Sequence, residues 1–169
     1  MEYEGEYLLP TTREVVWELL MNPDVLAKAT PGIQRLEPLD EPGKYKAHYD
    51  VRLGAVAGQF EGFFHVKDIV EGDSFTLQVY VKGAPGTMDV VGKIVLEPNG
   101  EGTLVRYSGK ARATDKLAKF GQRVLKSSAR MFTRQFFKKL EKEFIKPLNN
   151  PKSESKMMRR FKEWKSRSK

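Results

Sequence analysis

No cysteine occurs in the 169 residues, which excludes disulfides and thiolate chemistry and gives no reason to place the chain in an oxidising compartment. Histidine is almost as scarce, with two copies, His48 and His65, neither in a His/Cys/carboxylate spacing that reads as a metal site. Long apolar runs are missing as well: no stretch approaches the roughly 20 apolar residues that cross a bilayer. The opening MEYEGEYLLP is acidic and lacks the basic-then-apolar order of a secretion signal. Together these absences predict a soluble, cytoplasmic body.

Basic residues are also in short supply, but only along the first two-thirds of the chain. Residues 1–114 hold 12 Lys/Arg against 17 Asp/Glu, a balance of −5, whereas residues 115–169 hold 18 against 5, a balance of +13. The net charge of +8 therefore belongs to the C-terminal part and points to an anionic partner for one end of the molecule. With 40% apolar residues, this length supports one well-cored domain and a tail.

EYEGEYLL alternates, with Tyr3, Gly5, Tyr7 and Leu9 on one face and glutamates on the other, as a half-buried strand does. Thr11 followed by Glu14 reads as a capping box for a short helix carrying Val15, Val16, Leu19 and Leu20. Asn22-Pro23-Asp24 starts a second short helix, which Thr30-Pro31-Gly32 stops. From there to residue 113 the pattern is about six strands. They include YKAHYDVRL, QFEGFFHVKDI, SFTLQVYVK, TMDVVGKIVLE and TLVRYSGKARA, with turns at GAVAG, GAPG and PNGEG. After Asp115 a helical period runs up to Pro147, a rod on the order of 45 Å at 1.5 Å per residue. Its apolar stripe is Leu117, Phe120, Val124, Ser128, Met131 or Phe132, Phe136, Leu140 and Phe144, with basic residues opposite.

Several quoted pieces carry a family likeness: EYEGEYLLP, Ala29-Thr30-Pro31-Gly32, VRLGAVAGQFEGFF, GTLVRY, KLAKFG and QFF, in this order from residue 2 to about 145. The chain resembles the CoxG family, the G-subunit family of carbon monoxide dehydrogenase, within the START-like, or SRPBCC, superfamily. One departure is Thr114-Asp115, which stands where the family often has a glycine pair. The resemblance implies an α+β helix-grip fold of order β-α-α-β6-α, in which a curved antiparallel seven-stranded sheet wraps around a long C-terminal helix. It implies a START-like ligand-binding domain over residues 1–148; beyond the matched core, residues 149–169 read from their own composition as a basic amphipathic or disordered tail. It also implies an apolar ligand of lipid or quinone type and, as a partner, a molybdenum CO dehydrogenase-type hydroxylase. The fold is better determined by such a likeness than the cargo.

In that arrangement the inward sheet face is apolar but interrupted by Gly5, Gly62, Gly92 and Gly109, small residues that leave volume for a ligand opposite the helix. The same glycines also fit a sheet that only bends. The residues expected to line the cavity are Tyr49, Val51, Phe60, Phe64, Val79, Met88, Val90, Tyr107, Phe120, Val124 and Phe132, with ATPG, GAVAG and GAPG at its mouth. Tyr49 and Tyr107 are placed to orient a ligand carbonyl, or to serve as core with satisfied hydroxyls.

For catalysis no residues converge. His48, His65, Asp50, Glu61 and Asp89 all fall on outward positions, so neither a catalytic set, a metal nor a cofactor is expected. An enzyme of the cyclase or hydratase type, and an assembly factor acting by protein contact, remain the alternatives. Nucleic acid is disfavoured: EGFFHV resembles an RNA-binding aromatic strand but begins with Glu61 where that motif has a cation. The tail, SKMMRRFKEWKSRSK, would place Met157, Phe161 and Trp164 on one helical stripe beside Arg159 and Arg160. Such a stripe suits an anionic membrane surface, at the inner face of the membrane, as well as it suits a partner's groove or a solubilising tail.

Overall fold

In the computed structural model, which describes residues 1–145, strand β1 (Glu2–Leu9) leads into helices α1 (Arg13–Leu20) and α2 (Pro23–Ala29). Six strands follow: β2 (Ile33–Pro38), β3 (Lys44–Leu53), β4 (Val56–Val70), β5 (Ser74–Gly83), β6 (Gly86–Asn99) and β7 (Gly102–Ala113). A short α3 (Asp115–Lys119) and a long α4 (Gly121–Ile145) come last. The seven strands form one antiparallel sheet in the order β1-β7-β6-β5-β4-β3-β2. This is the expected helix-grip order, and β2 is the strand whose segment, IQRLEP, shows no clean alternation in sequence. The expected tail from residue 149 lies outside the described residues, together with Met157, Arg159, Arg160, Phe161 and Trp164.

Turn chemistry sets the register. Leu53 pairs with Val56, Gly83 with Gly86 and Asn99 with Gly102, so three hairpins close over two residues each. GAVAG thus contributes only Gly54-Ala55 to its turn, and the remainder joins β4.

Three local expectations shift. The N-cap of α1 is Thr12, whose hydroxyl accepts from the Val15 amide at 3.3 Å, and not Thr11; Thr11 instead offers its carbonyl to the buried Thr103 hydroxyl at 2.8 Å. The terminal rod is not continuous either. It breaks at Phe120–Gly121, where Gly121 takes φ +81°, a conformation that costs a side-chain-bearing residue about 1–2 kcal/mol. Finally, the buried stripe of the helix runs through Leu117, Leu125, Ser128, Phe137, Leu140 and Phe144, so Leu125 and Phe137 take buried places expected for Val124 and Phe136. The difference is local to those two places, since Ser128, Leu140 and Phe144 are buried as expected.

The core is divided. One cluster joins Leu9 of β1, Val15, Val16 and Leu19 of α1, Leu96, Val105 and the end of α4 through Phe137, Leu140 and Phe144. Fully burying each leucine here contributes about 1.5–3 kcal/mol. The other joins Ala47, Tyr49, Val56 and Phe60 of the β3–β4 hairpin with Leu117 and Leu125. Helix α4 meets the sheet mainly at β1 and β3 and packs beside α2, so it bridges the strands between them.

Candidate functional site

Between the two clusters four inward residues of the sheet belong to neither. Val79 and Val90 are a cross-strand pair, as are Gly92 and Gly109, and none of the four packs into either cluster. Although they face inward, all four keep intermediate solvent access. A Cβ added at Gly92 would meet only the Ser108 carbonyl oxygen, at 3.4 Å. These four positions make an apolar, partly solvent-accessible strip, the trough, across the waist of the sheet. Phe64, Val81 and Met88 border it from one cluster, and Tyr107 and Ile94 from the other.

The four inward glycines do not share one role. A Cβ at Gly5 would stand 2.5 Å from the Tyr107 hydroxyl, and one at Gly62 would stand 2.7 Å from the Tyr49 ring. These two seat tyrosine rings from their own sheet, so they leave no free volume. Gly109 lies close against the backbone of Val91 and Gly92, and only Gly92 opens onto space.

The residues expected to line the cavity divide accordingly. Tyr49 and Phe60 are buried within the second cluster, and Val51, Phe64, Met88, Phe120 and Val124 pack against it with partial exposure. Val79 and Val90 form the floor of the waist, Tyr107 borders the first cluster, and Phe132 is half-buried on α4. Of the loops, GAPG is closed by α3, since the Leu117 amide donates to the Pro85 carbonyl at 2.9 Å. GAVAG lies near α4: a Cβ on Gly54 would touch the Met131 sulfur at 3.7 Å. In ATPG, the Gly32 carbonyl accepts from the Asp50 amide of β3 at 2.8 Å.

Sequence reasoning missed the polar groups that α4 and β1 bring to this face. Tyr7 donates to the Glu141 carboxylate at 2.9 Å, the Tyr3 hydroxyl donates to Thr133 at 3.4 Å, and Ser128 donates to the Leu53 carbonyl at 3.1 Å. Tyr3 and Tyr7 were legible as inward, but their helix partners lie 130 and 134 residues away, beyond any local pattern. Burial, joined by the neighbouring Tyr3 phenol and Glu6, pushes the Tyr107 hydroxyl up to about 12. Burial alone raises Tyr49 further still.

The outward residues stay outward. Arg35 donates to His48 Nε2 at 2.9 Å and pairs with Glu37 at 2.6 Å, and Lys46 holds Glu61 below the usual carboxylate range. Two concavities are formed elsewhere. One, of about 440 Å³, is an open groove lined by Gln34, His48, Gln59, Glu61, Lys82 and Gly83 together with Tyr49 and Phe60, two of the residues expected to line the cavity. The other, of about 250 Å³, lies between α2 and β2. Among the described residues no helix is long and apolar enough to cross a membrane, and no group of three or more His, Cys, Asp or Glu is placed to hold a metal.

Comparison with solved structures places this architecture. A conserved protein from Geobacillus kaustophilus is similar at 36% identity and a TM-score of 0.83, over 87% of this chain and 97% of that one. A START superfamily protein from Mycobacterium smegmatis shares the fold at 12% identity and a TM-score of 0.62, over 83% of this chain and 94% of that one. A protein from Chromobacterium violaceum does so at 18% identity and a TM-score of 0.63, over 83% and 94%. No curated protein matches. The family model for CoxG, the G subunit of carbon monoxide dehydrogenase, matches residues 5–145, most of the sequence, and the chain belongs to that family.

Proposed function

We propose that this protein binds and carries an apolar molecule, of lipid or quinone type, in the trough between the sheet and α4. The observation that carries the reading is the waist itself: Val79, Val90, Gly92 and Gly109 are inward and apolar yet belong to neither packed cluster. Proteins seldom leave apolar interior surface uncovered, and a ligand is the usual cover. The strand positions facing the trough offer phenols and no carboxylate, imidazole or amine, which favours binding over chemistry. Protein purified without detergent should bring down a small apolar molecule visible by mass spectrometry of an organic extract. Recovery of none, from protein made in a bacterial host with its own lipids and quinones, would reject the carrier reading.

Delivery is proposed to occur at the membrane surface, for the benefit of a CO dehydrogenase-type molybdenum enzyme, the partner that the family's name points to. Residues 152–169 carry eight Lys/Arg against two Asp/Glu, and near an anionic leaflet each cation contributes about 1 kcal/mol. The domain over 1–148 would then be the soluble carrier and the segment from 149 its tether. Flotation with anionic vesicles tests this: the full chain should float and a chain ending at residue 151 should not.

A further inference from the structure

The outward face of the sheet carries an apolar band at one end. Leu8 of β1 and Leu104 of β7 are a cross-strand pair, each lying next in sequence to inward, fully buried residues: Leu9 for the first, Thr103 and Val105 for the second. On β6, Val95 stands between the inward Ile94 and Leu96, and Val70 of β4 reaches it through Ser74 of β5, which pairs with both. Leu8 is 54% exposed and Val70 57%. Helices α1 and α4 pack on the opposite, inward face, in the cluster of Leu96 and Val105. An exposed band of this kind marks a contact surface.

The rim of the band decides what can cover it. The three turns at this end, residues 39–43, 68–73 and 97–101, hold seven Asp/Glu and no Lys or Arg, whereas Gly54-Ala55 and Ala84-Pro85 at the other end are uncharged. Arg13, Lys44 and Arg106 pair with Asp73, Glu41 and Glu97. Asp40, Asp68, Glu71 and Glu101 are exposed and, among the described residues, in no ion pair. Such a rim repels an anionic leaflet, so the cover has to join apolar side chains to cations. Helix α4 of a second copy has the cations but turns its apolar side into its own core. Residues 152–169 have both: Met157, Phe161 and Trp164 at helical spacing, and eight Lys/Arg against two Asp/Glu.

The chain also leaves the described fold at this end. The Tyr7 hydroxyl on Glu141, and Phe144 in the cluster of Leu9, put the last turn of α4 beside the end of β1. From Ile145 to Met157 is twelve residues, a reach of up to roughly 40 Å at about 3.3–3.6 Å each, against roughly 29 Å for the width of seven strands about 4.8 Å apart. We propose that residues 152–169 dock on their own domain, with Met157, Phe161 and Trp164 on the band of Leu8, Leu104, Val95 and Val70 and the cations over the acidic turns. Attachment holds the segment at an effective concentration in the millimolar range, so a contact of low intrinsic affinity keeps it in place. The docked segment hides the apolar stripe that the tether reading gives to the membrane, and an anionic surface has to compete for it. The contact is thus a latch, and it is independent of the cargo.

The test is methyl NMR of the full chain against the double variant Phe161→Ser with Trp164→Ser, both changes lying beyond residue 151. Loss of the two aromatic rings should shift the methyl signals of Leu8, Val70, Val95 and Leu104, while those of Val105 and Leu140 stay, which also reports that the domain is folded. Raising the ionic strength to about 1 M, where the screening length falls to about 3 Å, should move the wild-type signals the same way but less far. Glu71→Gln with Glu101→Gln should carry the Trp164 indole signal toward its high-salt position. Absent shifts, shifts on Val79 and Val90 of the trough instead, or an indole signal indifferent to salt and to the two turn substitutions overturn the proposal. Shifts that vanish on dilution overturn it too, by giving the surface to a second copy. Vesicle flotation reads the tether alone, so the two readings fail separately.

Discussion

Tyr7 of β1 and Glu141 of α4 are joined by a 2.9 Å hydrogen bond across 134 residues of sequence, which fastens the first strand to the last turns of α4. The Tyr7 ring also stacks on Phe137 at 4.8 Å, so the hydroxyl is held by packing as well as by its partner. Because the pair is partly exposed, its contribution is modest. Tyr7→Phe should cost about 1 kcal/mol, read as a lower urea midpoint with an unchanged slope.

At the waist, side-chain truncation should be cheap. Val105, fully buried in the first cluster, should lose about 2 kcal/mol on change to alanine. Val79, inward but outside both clusters, should lose under about 1 kcal/mol. Equal losses in denaturant titrations of the apo protein would mean that the waist is packed after all.

Filling the trough should displace its contents. Gly92→Leu places a side chain where little stands in the way, so the fold should survive with near-native melting. The amount of co-purified apolar molecule per mole of protein should fall several-fold, as mass spectrometry would show.

Backbone conformation gives a third stability test. Gly121, at φ +81° with no atom near its missing Cβ, should tolerate alanine sterically and still lose about 1 kcal/mol or more from left-handed strain alone. Thermal unfolding should show this as a drop of a few degrees, and Gly121→Asn should recover part of it.

Alkaline pH should weaken the fold. Tyr7, Tyr49 and Tyr107 all hold their protons more tightly in the folded chain than at the ordinary phenol value of 10.0. Above that value the unfolded chain gives up protons that the folded one retains, so stability is complete below about pH 10 and declines as pH rises through the folded values. Urea midpoints should therefore be flat near neutrality and fall above about pH 10, less steeply in Tyr107→Phe.

Strand periodicity carried most of the fold. A two-residue alternation with Gly and Pro-Gly turns is a local signal, so β1 and β3 to β7 and their inward faces could be read from the sequence. What escaped was decided at longer range. Gly121 breaks the rod by a φ value that no spacing reveals, and Leu125 and Phe137, next to the expected Val124 and Phe136, take the buried places. Likewise Gly5 and Gly62 looked like empty volume, because a ring from a neighbouring strand can cover a glycine without leaving a trace in the pattern. Asp115 gives a converse lesson: at φ +56° it occupies the left-handed region that favours glycine, so the residue at this departure from the family likeness carries backbone strain.

Because β1 is hydrogen-bonded along its length to β7 and to no other strand, its partner is roughly a hundred residues downstream, Glu6 opposite Arg106 for instance. At a synthesis rate of about 5–20 residues per second, the earliest strand to leave the ribosome waits on the order of ten seconds for the one that completes it. Until then Tyr3, Tyr7 and Leu9 have no sheet to join. During that interval the nascent chain presents an unpaired oily ribbon, the form in which a holdase chaperone would first meet it.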